Sequence, residues 1–116
     1  MKQIYLNILL LLIYGFGNAN NFVLPPSATI SGTTTVCQNA ASPTITFTGS
    51  GGTAPYTFTY TVSGTAGNQT ILTTSGNSVT ISAPTNVVGS FTYSLVSVKD
   101  GTNTTQNQSG TAIITV

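Results

Sequence analysis

Tyr56-Thr57-Phe58-Thr59-Tyr60-Thr61-Val62 alternates without a break. Successive side chains of a strand point to opposite faces, so Tyr56, Phe58, Tyr60 and Val62 share one face and Thr57, Thr59 and Thr61 the other. An apolar face backed by a Thr face is a half-buried strand, with one side on a core and the other toward water. The same pattern stands just upstream in Thr44-Ile45-Thr46-Phe47-Thr48, where Ile45 and Phe47 share a face. Between the two lies Gly49-Ser50-Gly51-Gly52-Thr53, a flexible turn.

Outward from this pair the signals repeat. Strands are predicted over 28–36 (broken at Ser31-Gly32), 69–74, 78–82, 90–98 and 111–116, with Gly, Pro, Asn and Ser clusters between them. In 90–98, Phe91, Tyr93 and Leu95 alternate, and then Val96 and Val98 take the opposite parity. Either that strand is buried on both faces near its end or it carries a bulge. Residues 99–110 form a polar connection. No segment after the leader shows an apolar period of 3.6. Short strands at this spacing imply an all-β fold, an immunoglobulin-like Greek-key β-sandwich of about seven strands. Trp is absent, so Phe47, Phe58, Phe91 and the tyrosines must supply the aromatic core. Tyr93 is either a corner tyrosine bonded to a nearby carbonyl or an ordinary half-buried one.

Charge sets the limits on function. The 116 residues include 2 Lys or Arg, 1 Asp or Glu and no His, so 3% are charged, against a usual ~25%. A nucleic-acid binder needs cations to replace phosphate counterions, and Lys2 and Lys99 are the whole supply. Cys37 and Asp100 cannot build a metal site, and a lone carboxylate without imidazole does not support acid–base catalysis. The chain is expected to be non-enzymatic and without cofactors. Disorder is also excluded as a class. Residues are 40% hydrophobic, and polarity comes from Ser, Asn and 23 Thr rather than from charge.

Residues 1–19 read as a signal peptide. Lys2 gives the positive start, 4–13 is an apolar run broken only by Asn7, and Gly17-Asn18-Ala19 is a small-x-small cleavage site. An uncleaved anchor or an N-terminal assembly segment is the rival reading, but the run is about half the ~20 residues a spanning helix needs. The expected organisation is a signal over 1–19, an N-terminal extension over 20–27 and the sandwich over 28–116. The product would be secreted, with no membrane span after cleavage. Lys99 and Asp100 would be its only charged side chains.

Oxidising compartments favour paired cysteines, and Cys37 stands alone. It reads as a small buried hydrophobe, unreactive until unfolding, or as a partner for another molecule. A catalytic thiol would need a base that the chain does not have.

Three stretches carry a resemblance. They are Ile30-Ser31-Gly32-Thr33-Thr34-Thr35-Val36-Cys37-Gln38-Asn39, Pro43-Thr44-Ile45-Thr46-Phe47-Thr48-Gly49 and Gly52-Thr53-Ala54-Pro55-Tyr56-Thr57-Phe58-Thr59-Tyr60. They resemble the Ig-like, PKD-like repeat modules found in tandem in large surface adhesins of gliding bacteria. Gly76-Asn77-Ser78-Val79-Thr80 and Phe91-Thr92-Tyr93-Ser94-Leu95-Val96-Ser97-Val98 match the same module, so residues 28–116 are covered. The resemblance implies a sandwich that spaces or displays other domains on the bacterial cell surface. Members often carry a second Cys near where Thr105-Gln106-Asn107 stands, which would tie Cys37 to the final hairpin; that bridge is missing here. Modules of this kind occur in strings, so the chain is expected to be either a piece of one or a single module that assembles with copies of itself.

The expected function is therefore structural: an extracellular adhesion module, filament or surface-layer subunit whose partners are copies of itself or neighbouring surface proteins. Strands 44–48 and 111–116 carry no charge, and as edges they would invite strand addition. Phe22, Val23 and Leu24 form a short apolar segment before Pro25-Pro26 and are the candidate donated strand. The alternative is ligand binding, to carbohydrate or ice, by a Thr face. Thr44, Thr46 and Thr48 would lie beside Thr57, Thr59 and Thr61 if their strands pair.

Overall fold

The computed structural model describes residues 23–116. The signal peptide expected over 1–19, and Phe22, lie outside the described residues. Nine strands are present: β1 (Ser27–Ser31), β2 (Thr34–Thr35), β3 (Thr44–Ser50), β4 (Thr57–Val62), β5 (Gln69–Leu72), β6 (Ser78–Ser82), β7 (Ser90–Lys99), β8 (Thr105–Asn107) and β9 (Thr111–Thr115). There is no helix among the described residues.

Two sheets face each other. One has the order β1-β3-β6. The other has the order β2-β9-β7-β4-β5, with β8 paired to the end of β7. This is an all-β sandwich with the immunoglobulin-type order. The count exceeds seven because the first predicted strand splits at Gly32 into β1 and β2, and because β8 forms inside the polar connection. Its Thr105, Gln106 and Asn107 are all exposed and show no apolar alternation.

The core lies between Ile45 and Phe47 of the small sheet and Phe58, Tyr93, Leu95, Val98, Ala112 and Ile114 of the large one. Phe47 crosses the gap between sheets. Its ring lies 5.6 Å from that of Phe58 and 4.9 Å from that of Tyr60. Burying one such side chain contributes about 1.5–3 kcal/mol.

The parity change in β7 is a bulge. Thr59 pairs with Ser97 and the next residue, Tyr60, pairs with Leu95, so Val96 is the extra residue. The bulge keeps Leu95 and Val98 both on the core, although they are three apart. Val96 turns its carbonyl to the Gln108 N–H, and Gly110 accepts from the Leu95 N–H. The step thus falls where β9 gives way to β8 as the neighbour of β7.

Two expectations about edges are corrected, and the open question of the corner tyrosine is decided. β3 is not an edge, because β1 and β6 flank it. β9 is interior too, between β7 and the two-residue β2. The tyrosine tied to backbone is Tyr56, not Tyr93: its hydroxyl donates to the Gly51 carbonyl at 2.5 Å. Gly49 permits this, since a Cβ there would fall 2.6 Å from the Tyr56 ring. Tyr93 instead stacks on Tyr60 at 6.5 Å.

The strand directions define two ends of the domain. The β3–β4 loop, the β5–β6 turn, the β7–β8 turn and Leu24 gather at one end, here the upper. The β2–β3 loop, the β4–β5 turn, the β6–β7 loop and Val116 gather at the lower.

Candidate functional site

The six Thr of the predicted grid do not form one surface. Thr44, Thr46 and Thr48 belong to β3, and Thr57, Thr59 and Thr61 to β4, in different sheets. The grid required β3 and β4 to pair, but the Gly-rich turn between them crosses the sandwich. Each set still points outward from the core. On the small sheet the outward set is wider than predicted. The register places Ser27, Thr29 and Ser31 of β1, Thr44, Thr46, Thr48 and Ser50 of β3, and Ser78, Thr80 and Ser82 of β6 on one face. All ten carry hydroxyls. Some are bonded to one another: Ser27 and Ser50 at 2.7 Å, and Thr48 and Ser78 at 3.0 Å.

Cys37 is free, as the sequence implied, but it is exposed rather than buried. It lies past β2, in the loop at the lower end, where the Ala40 N–H donates to its carbonyl. The register also puts β8 beside residues 97–99 at the upper end. A bridge from Cys37 to Thr105-Gln106-Asn107 would have to span the domain, far beyond disulfide reach.

Val23 and Leu24 are 67% and 60% exposed, at the upper end. The Leu24 carbonyl accepts from the Gly52 N–H at 2.7 Å, which fixes where the segment leaves the sandwich. The loop it joins is held by Asp100, the chain's one carboxylate side chain. Asp100 is buried. Its Oδ2 accepts from the Thr53 N–H, and its Oδ1 from the N–H groups of Thr102 and Thr104 and from the Thr102 hydroxyl. The Thr102 hydroxyl and then the backbone donors stabilise the ionised form and outweigh the cost of burial, so the pKa lies below its ordinary 3.8. Gly52, at φ 57°, packs where a Cβ would run into that carboxylate. Composition alone marked Asp100 as a leftover charge; the donors that surround it are set by loop conformation.

Among the described residues the edges are β1 and β6 in the small sheet, β2 and β5 in the large. Three are guarded. Gln108 reaches across the β1 edge, its Oε1 accepting from the Ala28 N–H at 3.0 Å. β2 has two residues and β5 four. Short strands offer little to pair with. β6 is different. Gly49 N–H donates to Asn77 carbonyl and Ala83 N–H to Pro43 carbonyl, so residues 77, 79, 81 and 83 face β3. By antiparallel alternation the N–H and C=O groups of Ser78, Thr80 and Ser82 face away from it. These three residues are exposed, and no charge, Pro or bulge interrupts β6.

No family model matches the chain, and no curated protein does.

Beside the lower half of β6 the sandwich gapes. A groove of about 420 Å³ is lined by Ile81 and Pro84 on one side and by Tyr60, Val62, Phe91 and Tyr93 on the other. Its apolar side chains are only half covered at Tyr60, Val62, Ile81 and Phe91, whereas Ile45 and Phe47 on β3 are fully buried. Among the described residues no strand lies outside β6, and none closes the core on that side. Sequence reasoning found the inward faces of these strands but not the groove, because strand order is not written in local alternation.

Proposed function

We propose that this chain is a non-enzymatic structural or adhesion module, secreted to the bacterial surface, which assembles with copies of itself through a sheet edge. The carrying observation is the open β6 edge, uncharged and five residues long. An edge of this kind is a template for strand addition, and soluble sandwiches ordinarily block it with Lys, Pro or a bulge. Low charge favours the same behaviour, since Lys99 and Asp100 are the only charged side chains from residue 20 onward and repulsion between copies is slight. The resemblance to adhesin repeats agrees with a spacing or displaying role. Sedimentation velocity of the chain from residue 20, over a hundredfold range of concentration and with negative-stain microscopy of the top sample, tests the reading. Concentration-dependent oligomers or fibres support it; a single monomer boundary throughout leaves only a passive spacer.

A second reading rests on the outer face of the small sheet. Ten Ser and Thr hydroxyls without a charge among them form a surface suited to a repetitive hydroxylated ligand, carbohydrate or ice. Co-sedimentation with insoluble polysaccharide and ice-growth inhibition test it. Thr46→Val and Thr80→Val together remove two neighbouring hydroxyls and are expected to abolish any binding found.

A further inference from the structure

The open edge and the groove beside it are features of one gap, and the chain contains a segment suited to fill it. β6 turns the backbone of Ser78, Thr80 and Ser82 outward, and directly inside that edge lies the groove with its half-covered Tyr60, Val62, Ile81 and Phe91. A strand laid along β6 would pair with the first feature and bury alternate side chains in the second. Phe22-Val23-Leu24 has the required alternation, with Phe22 and Leu24 on one face. The side chains of Val23 and Leu24 are largely exposed, and only the Leu24 carbonyl is bonded to its own domain. Pro25 and Pro26 follow at once, and Pro cannot donate to a ladder, so pairing would end there.

Once cleaved after Ala19, the segment is too short to reach its own groove. Leu24 is bonded to Gly52 at the upper end, while the groove opens at the lower end between Ser63 and Pro84. With cleavage after Ala19, three residues precede Val23, a reach of about 10 Å. A sandwich strand of the length of β7, 10 residues, spans about three times that.

We infer that residues 20–24 of one copy lie along β6 of a second copy, with Phe22 and Leu24 seated in the groove between its sheets. This rests on the self-assembly reading above and names its site. The donor leaves the upper end of one domain and the acceptor lies near the lower end of the next, so the contact is heterologous. Each copy gives one strand and receives one, and without a closing rotation the series grows as a filament. No side chain of residues 20–24, of β6 or of the groove lining is charged, and the α-ammonium that cleavage leaves on Asn20 meets no like charge there.

The test uses the chain from residue 20, a second chain lacking residues 20–24, and a Phe22→Ser, Leu24→Ser double variant of the chain from residue 20 that keeps the Leu24 carbonyl contact. Circular dichroism confirms that each is folded. Sedimentation velocity is expected to show oligomers for the first, and at least a tenfold higher concentration needed for any assembly in the other two. A synthetic peptide of residues 20–24 added to the truncated chain is expected to bind at one per domain, and a peptide with Ser for both Phe22 and Leu24 to bind at least tenfold more weakly. If both altered chains assemble like the parent, this site is wrong and assembly uses another contact; a dimer that persists without residues 20–24 would indicate β6 pairing with β6. If the parent is monomeric at every concentration, the inference and the self-assembly reading both fall.

Discussion

The Thr53 N–H and Asp100 Oδ2 are 3.0 Å apart and join two loops that are 47 residues apart in sequence. The Gly101 N–H donates back to the Thr53 carbonyl, so the β3–β4 loop and the β7–β8 turn are fastened in both directions. The same loop holds Leu24 through Gly52, and the clamp therefore also positions the exit of the N-terminal segment.

The clamp has a pH signature. Because the folded pKa of Asp100 is lowered, its contribution is complete above the unfolded value of 3.8 and is lost as pH falls through the lower folded value. The chain has no His and no other acidic side chain, so stability is expected to be level across mildly acidic and neutral pH. At the alkaline end Tyr60 and Tyr93 have pKa values raised above 10.0, Tyr60 by burial and Tyr93 by burial and then by the Tyr60 charge. Their neutral forms favour the fold below pH 10, and that contribution is lost above it. Thermal melts from pH 2 to 11 should show both limits. Asp100→Asn, which sets an amide donor or a poorer acceptor against the Thr53 N–H, should lower the melting point at pH 7 and flatten the acid limb.

Phe58→Ala is expected to destabilise the domain by about 3–5 kcal/mol, since the side chain is fully buried between the sheets against Phe47. Thr59→Ala, one residue on and facing out, should cost less than about 1 kcal/mol. Urea melts of the two variants check the face assignment, and equal losses would contradict it.

How far the sequence could be read follows from these two residues. Alternation over 56–62 is a local property, and it placed Phe58 inward and Thr59 outward without knowledge of any partner strand. The bulge at Val96 was visible as a change of parity, because an extra residue must shift every side chain after it. Pairing was less legible. The turn from Ser50 to Tyr56 has the Gly content of a hairpin, yet it carries the chain from one sheet to the other, so the expected Thr grid and the expected β3 edge both failed. For Cys37 residue type suggests burial, and only its place after β2 decides exposure. β8 left no apolar signal, since it is held to β7 by backbone pairing alone.

Tyr56→Phe removes the hydroxyl bond to the Gly51 carbonyl and is expected to cost about 1 kcal/mol. Gly49→Ala should cost more, because its Cβ meets the Tyr56 ring and Gly49 is buried. Denaturant melts rank the two. The reverse order would mean that the ring does not rest on Gly49.

Cys37 is expected to react with a bulky thiol reagent in the native protein at close to the rate of the unfolded chain. Mass spectrometry after brief labelling without denaturant checks this. Labelling that requires unfolding would contradict the exposed loop position.

The most direct test of edge-mediated assembly is residue-level amide hydrogen exchange of the chain from residue 20 at low and high concentration. The outward amides of Ser78, Thr80 and Ser82 should exchange rapidly when dilute and become protected when concentrated, while Val79 and Ile81, already bonded to β3, should be protected in both. Unchanged fast exchange at Ser78, Thr80 and Ser82 in assembled material would contradict assembly through this edge.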